Sequence, residues 1–296
     1  MAFYATQRVV RATAATIEWQ GVDQNGEPAD PGTVTVGVTR ADGTTLVAAG
    51  TATGGSGTNP RTYALTVADT ADLDYLTATW SVSGAVVGRT FVEVVGGVYA
   101  TTAQIRSMDT VLGDAGQDTP DQLIRARQAA ERLFESVTGA AWVPKFEVER
   151  IDGTGRFTLA LHWPMLRRVR WCRIYTTATT YETLTADQLA AIPADDSGVA
   201  VRTDGYVWPV GVSNIEIGYE HGADSPPVDM VEQLVLAIRK GARRFDNGLP
   251  EAATVIQFAE GGSATLATPG LGIWVTGIPS VDEMLRRYNR KTPGIA

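Results

Sequence analysis

The sequence predicts a β-sandwich, then an α+β, helix-rich domain, then an extended C-terminal arm that ends in one short helix. Three observations predict it. Residues 1–97 read as short strands divided by turn residues. After Gly96-Gly97 the apolar period changes from that of a strand to that of a helix. Beyond residue 250, a Gly/Thr/Ser-rich stretch isolates a last amphipathic run. The predicted divisions are therefore 1–97, 98–250 and 251–296.

In the first division, strands are predicted at Ala15 to Gln20, Thr33 to Arg40, Thr44 to Ala49, Thr62 to Val67, Tyr75 to Val82 and Val86 to Val95. Alternation is clearest in Thr33 to Val38 and Leu76 to Val82. Asn25-Gly26, Pro31-Gly32, Asp42-Gly43 and the Gly54 to Gly57 loop supply the turns. Short strands at this spacing predict a small sandwich of immunoglobulin-like type, without the disulfide that some of these carry. Asp23-x-Asn25-Gly26 has the outline of a calcium loop, yet it lacks the further acidic ligands and the closing glutamate, so a hairpin turn is expected.

The second division begins with a short helix capped by Thr101 and Gln104 and carrying Ile105, Met108, Val111 and Leu112. Next comes the clearest helix of the chain. Thr119 suits the N-cap, Pro120 the first helical position, and Gln122 completes a capping box. Leu123, Ile124, Ala130, Leu133, Phe134 and Val137 form its apolar face. Asp121 with Arg125, and Arg127 with Glu131, are expected as i,i+4 pairs on the exposed side, and Gly139 as the stop. Strands follow at Phe146 to Ile151, Phe157 to Leu161, Val169 to Tyr175, Val199 to Arg202 and Ile215 to Tyr219, with a short helix at Ala186 to Ala191. Asp152 to Gly155 reads as a hairpin between the first two of these strands. After Pro226-Pro227, the spacing of Val231, Leu234, Val235, Ile238, Ala242 and Phe245 predicts a long helix ending near Asn247-Gly248.

In the third division, the segment from Glu260 to Gly277 is too poor in large apolar residues to form a core. Ser280 with Glu283 has capping-box spacing, and Val281, Met284, Leu285 and Tyr288 form one stripe. A helix of about three turns is marginal alone in water, so the stripe must be covered. The sequence offers it as an anchor for a neighbour; the alternative is an arm that folds back on its own domain.

Composition excludes several function classes. An apolar fraction of 44% is that of an ordinary globular protein, no segment has the length of apolar residues a membrane span needs, and no export signal is recognisable, so a soluble chain is expected. A net charge of -8 argues against a protein that coats nucleic acid. Clusters such as Arg239, Lys240, Arg243 and Arg244 sit in a helix's last turns, where cations meet the negative end of the dipole; contact with passing DNA is the lesser reading of them. One cysteine and two distant histidines make a zinc site unexpected, and no cofactor is expected.

No catalytic residue is assigned. Asp195 and Asp196 are adjacent on a turn and point apart, unlike a glycosidase pair. His221 beside Gly222 could serve as a base, but no nucleophile motif accompanies it. No Gly-rich loop has phosphate-binding spacing. Two alternatives remain open at this point: a carbohydrate-active enzyme with a sandwich accessory domain, and an adhesin-like carbohydrate- or surface-binding module. The second would use an exposed aromatic platform at Trp80 or Tyr75, although a core tryptophan is commoner in a sandwich.

From about Ala100 onward, the order of elements resembles the head-to-tail connector, or adaptor, family of long-tailed bacteriophages. The run from Gln122 to Gly139, ending Thr138-Gly139 and followed by Pro144 and a strand, looks like the family's helix and its exit. Trp163-Pro164-Met165 leading to Val169 is similar to its apolar-proline-apolar step. Val212 to Gly222, closing in His221-Gly222 before Pro226-Pro227 and a long helix, is a third mark, and Gly277 to Tyr288 looks like the ending of adaptors from phages of actinobacteria. The resemblance covers about two thirds of the chain and leaves the sandwich outside it.

The resemblance implies a virion protein of the phage neck, assembled in the host cytoplasm, without enzymatic activity. It implies a ring, expected to be twelve-fold, beneath the portal protein. Such a ring extends the channel for passing DNA without reading its sequence, and it receives the next neck or tail protein, a stopper or tail terminator. Trp274, Ile278, Val281, Met284, Leu285 and Tyr288 are then expected to dock on the portal or on a neighbouring copy. A ring needs heterologous contacts, and a projecting helix is one way to make them.

Overall fold

The computed structural model describes residues 6–30, 32–54, 60–114, 118–242, 255–257, 263–265 and 275–290. The chain gathers into two compact units. Met1–Gly97 with Val143–Asp224 form one, and Val98–Trp142 with Ser225–Ala296 the other. The units thus interleave along the sequence, whereas the sequence-based divisions run consecutively.

The first unit opens with β1 (Thr6–Val10), β2 (Ala15–Trp19), β3 (Val34–Thr39), β4 (Thr45–Thr51), β5 (Thr53–Gly54), β6 (Arg61–Leu65), β7 (Asp74–Val82) and β8 (Ala85–Val95). They make a five-stranded sheet, β1-β8-β7-β3-β4, and a three-stranded sheet, β2-β6-β5. Inward residues alternate as predicted: Val34, Val36 and Val38 from β3 and Leu76, Ala78 and Trp80 from β7 meet Ile17 of β2 and Leu65 of β6 in one core between the two sheets. Trp80 belongs to that core and stacks on Trp19, with ring centroids 6.2 Å apart. Its Nε1–H donates to Thr90 Oγ1 at 2.9 Å, and that hydroxyl donates to the Glu18 carbonyl at 3.0 Å, so one polar chain spans both sheets. The segment around Asn25 is a turn, with the Asp23 carboxylate accepting from the backbone of Asn25 and Glu27. Strand β1, which the sequence reading lacks, pairs in parallel with β8.

The chain next passes through the second unit's α1 (Thr102–Met108) and α2 (Pro120–Thr138) and returns to the first. There it adds β9 (Lys145–Gly153), β10 (Thr158–Ala160), β11 (Leu166–Tyr175), β12 (Tyr181–Thr183), the short α3 (Ala186–Ala190), β13 (Val199–Val201) and β14 (Gly211–His221). The four-stranded sheet β12-β11-β14-β9 is antiparallel throughout, and β10 pairs with β13. The hairpin expected at Asp152 to Gly155 is therefore absent, because β9 and β10 take different partners. Asp152 and Gly153 bind across to β14 instead: Ser213 N donates to Asp152 Oδ1 at 2.6 Å and Gly153 N to Asn214 Oδ1 at 2.8 Å. Gly153 is required by close approach, since a Cβ there would lie 1.7 Å from the Pro209 carbonyl oxygen.

Within this unit the sandwich and the four-stranded sheet are joined by charge. Glu93 of β8 takes Arg8 of β1 at 2.7 Å on one side and Lys145 of β9 on the other, all three side chains being largely buried. Arg170 donates to the Leu73 carbonyl, and Arg173 to the Asp42 carbonyl at 2.7 Å. Burial alone would raise the Glu93 pKa, but Lys145 and Arg8 outweigh it and hold the carboxyl below its ordinary value.

The chain ends in the second unit with α4 (Val228–Ala242), β15 (Val255–Gln257), β16 (Ser263–Thr265) and α5 (Pro279–Arg287). β15 and β16 pair antiparallel, with Ile256 opposite Ala264, so the stretch read as an extended arm contains a strand pair. Gly241 faces open space, so it serves no close helix packing.

Removing one member of a buried ion pair leaves the others uncompensated, at a cost of about 3–5 kcal/mol. Glu93→Ala is expected to lower stability by that order in urea unfolding. Because the folded Glu93 pKa is depressed, its stabilisation is complete above the unfolded value and is lost as pH falls through the lower folded one. Wild-type stability should therefore fall below about pH 4, and Glu93→Gln should flatten that part of the profile.

Candidate functional site

Among the residues predicted to dock, Val281, Met284 and Leu285 lie on α5 in the helical unit, with Ile278 and Tyr288 as its caps, and the surroundings of that helix define the candidate site. Its neighbours are set by α2. Thr119 and Gln122 make the expected capping box, Pro120 is in the first turn, and Gly139 closes the helix in the left-handed region at φ 66°. Leu123, Ala130 and Phe134 are buried as predicted. Arg127 and Glu131, expected on the exposed side, are buried instead. They line a polar seam: Glu131 accepts from Tyr99 N at 2.9 Å and pairs with Arg127 at 3.5 Å, and Arg127 donates to the Ala100 carbonyl at 3.2 Å. The Tyr99 hydroxyl donates to Glu135 at 3.3 Å and accepts from Trp142 N at 3.2 Å. A seam satisfied on so many sides fixes the segment before α1 against α2.

α5 closes over this framework. Val281, Met284 and Leu285 are buried in their own unit, where α5 packs on α4 and α2. The stripe that the sequence offers to a neighbour is thus covered by the chain itself, since α4 presents the apolar face it needs. Ile278 is half-buried. Tyr288 is anchored at both ends of its side chain: the hydroxyl donates to Asp229 Oδ1 at 2.8 Å, and the ring meets Trp142 edge-on at 5.2 Å. The bond to Asp229 raises the phenol pKa. Arg287 pairs with the same Asp229 at 3.2 Å, and Arg290 N donates to the Thr138 carbonyl at 2.7 Å. Trp274 lies outside the described residues. Besides Pro279 and Ser280 at its start, α5 leaves charged residues exposed: Glu283, Arg286 and Arg287.

The start of α5 differs from the expected capping box. Ile278 is the N-cap and makes no side-chain cap bond. Asp282, buried inside the first turn, reaches back to accept from Thr276 N at 2.8 Å, Gly277 N at 3.2 Å and the Thr276 hydroxyl at 3.0 Å. A carboxylate at a helix start meets the positive end of the dipole, which also favours this arrangement. Ser280 and Glu283 are left exposed.

Of the basic cluster on α4, Arg239 pairs with Asp109 at 3.5 Å, and Lys240 donates to the Thr276 carbonyl at 2.7 Å. Both cations are engaged in holding α1 and the entry to α5 onto α4. Arg243 and Arg244 lie outside the described residues. Asp229 and Trp142, which the sequence reading did not single out, prove to be the anchors of Tyr288. The signal for Asp229 was its place in the first turn after Pro226-Pro227.

Of the groups weighed for chemistry, His221 is buried and its Nδ1 meets no hydrogen-bond partner among the described residues, while Asp195 is bonded within a turn. His221 is the buried last residue of β14, stacked on Trp163 with centroids 5.2 Å apart. Burial, then the Lys145 charge, push its pKa down to about 3. Asp195 accepts from Ser197 N at 2.8 Å and Val199 N at 3.2 Å in a turn. Cys172 is buried, and desolvation pushes its thiol up to about 12, which suppresses the reactive thiolate.

No protein-family model matches the chain, and no curated protein matches it. Among solved structures, it is similar to a chain from the neck of an empty gene transfer agent particle computed with C6 symmetry, at 16% identity over 66% of this chain and 93% of that one, with a TM-score of 0.44. A chain from the virion of a native gene transfer agent particle shares 17% identity over 66% and 93% of the two chains, with a TM-score of 0.43. Another, from the neck of the native particle computed with C12 symmetry, shares 17% identity over 68% and 98%, with a TM-score of 0.36.

Truncating a buried leucine costs about 2–5 kcal/mol, so Leu285→Ala should lower the thermal midpoint of the chain clearly, read by circular dichroism. Asp282→Ala removes a carboxylate that satisfies several donors and should cost about 1–3 kcal/mol. Glu283→Ala is expected to stay within about 0.5 kcal/mol of wild type; a larger loss would restore the capping box read from the sequence.

Proposed function

We propose that the chain is a structural subunit of a phage neck. It forms a ring, taken to be twelve-fold, beneath the portal, extends the DNA channel and joins the DNA-filled head to the tail through the next neck or tail protein. In this reading the protein is a virion component assembled in the host cytoplasm, it carries no enzymatic activity, and its immunoglobulin-like sandwich is an accessory to the neck.

One observation carries the reading: the motifs behind the family resemblance fall at the joints of the fold. Thr138-Gly139 closes α2 on the way to Pro144 and β9. Trp163-Pro164-Met165 leads into β11, with Met165 held at φ 59° and bonded to the Asp196 carbonyl. His221-Gly222 ends β14 shortly before α4, and Gly277 precedes α5. Motifs that sit at joints specify a shape, which supports a building block over a catalyst. The alternative of an aromatic binding platform on the sandwich loses Trp80, which is fully buried, and keeps Tyr75, which is exposed.

The docking role given to Ile278, Val281, Met284, Leu285 and Tyr288 takes an indirect form here. These residues hold α5 in place, and the charged face of α5 meets the portal or a neighbour. Electron microscopy of the purified protein, with and without its portal protein, tests the proposal. Rings seated on the portal are expected; a protein that neither binds the portal nor forms rings refutes it.

A further inference from the structure

The loop between β13 and β14 is built to be rigid and yet shows apolar side chains to water. Trp208 is fully buried, donating from N to the Arg156 carbonyl at 2.8 Å and from Nε1 to the Ala200 carbonyl at 3.2 Å. Asn214 donates to the Pro209 carbonyl at 3.2 Å, and Arg150 Nε to the Ser213 carbonyl at 2.8 Å while its guanidinium lies 4.1 Å over the Tyr175 ring. On this frame Val210 and Val212 are 81% and 86% exposed, with Tyr206 and Phe157 exposed nearby. The fold gains nothing from two valines held in water. Such clustered exposure on a fixed frame marks a protein contact.

The chemistry of the rim selects the partner. Beside the valines lies an open depression of about 430 Å³, lined in part by Arg150, Tyr175, Val210 and Val212. Arg150 lines it, exposed Arg156 follows Gly155, which lies against Val210, and exposed Asp152 is bonded to Ser213 of its lining. Asp152 accepts from Ser213 N and keeps its negative charge, whereas Asp204 pairs with Arg202 and Glu216 with Arg173, so two arginines face the single charge of Asp152 and the surroundings are net positive. An apolar tip flanked by acid would complement it, and this chain has one. The turn after β2 carries Val22, 60% exposed, next to exposed Asp23 and Glu27, and it is closed by Asp23 N donating to the Glu27 carbonyl at 2.8 Å.

We propose that the β13–β14 loop of one copy receives the Val22 to Glu27 turn of a second copy. The two surfaces are different, so the contact is heterologous and can propagate from copy to copy. The choice of a second copy rests in part on the ring reading; the charge match is independent of it.

Sedimentation velocity over a wide concentration range tests the contact in the full chain. Wild type should self-associate, and Val210→Asp with Val212→Asp should abolish this while leaving the circular dichroism spectrum unchanged. Arg156→Glu should weaken association by roughly fivefold, as a rim charge does, and mixing it with Glu27→Arg copies should restore it. Cysteines placed at Val22 in one copy and Val212 in another should cross-link under mild oxidant in the mixture and not in either variant alone; Cys172 is buried and does not compete. A wild type that stays monomeric throughout, or a mixture that fails both to regain association and to cross-link, overturns the proposal. Open chains that need these residues but never close would support this contact and refute the ring, whereas rings that survive the double aspartate variant refute this contact alone.

Discussion

The first unit depends on one carboxylate. Glu93 sits between Arg8 and Lys145 where water is largely excluded, and each of the three comes from a different strand. An isolated buried charge is costly, so each of the three lowers the cost of burying the others. β1, β8 and β9 are therefore committed together. Since β1 and β8 belong to the five-stranded sheet and β9 to the four-stranded one, that single site makes a sandwich and a second sheet into one body. Arg170 and Arg173, bonded to the Leu73 and Asp42 carbonyls, extend the same seam.

The helical unit solves its packing with the same means in reverse order. Apolar burial of Phe134, Leu234, Ile238 and Leu285 supplies the driving force, each fully buried side chain being worth roughly 1.5–3 kcal/mol. The polar groups then fix which surfaces meet. Tyr99 with Glu131 and Glu135, Tyr288 with Asp229, and Asp282 with the backbone of Thr276 and Gly277 all join segments distant from one another or turn the chain into a helix.

How much of this is legible in the sequence depends on the range of the interaction. Caps at Thr101 and Thr119 and the stop at Gly139 are local, and the spacing of their residues shows them directly. Alternation reveals β3 and β7 for the same reason. β1 is not visible, because Arg8 occupies a buried position where it pairs with Glu93, 85 residues later. Arg127 and Glu131 have the spacing of a surface pair, and nothing local reveals that Tyr99 and Ala100 lie over them. The stripe on α5 says that something must cover it and is silent on what does. The site is thus legible as a helix with an apolar face, while its partner, α4, and its anchor, Asp229, are properties of the folded chain.

The interleaving of the two units has a consequence for synthesis. α1 and α2 leave the ribosome early, but their main partners, α4 and α5, lie beyond Asp224, so the apolar face of α2 must wait while the intervening sheet is made. At about 5–20 residues per second that delay lasts several seconds or more, during which an amphipathic helix is exposed to water. The apolar face of α2 is thus the surface of this unit that waits longest for its cover.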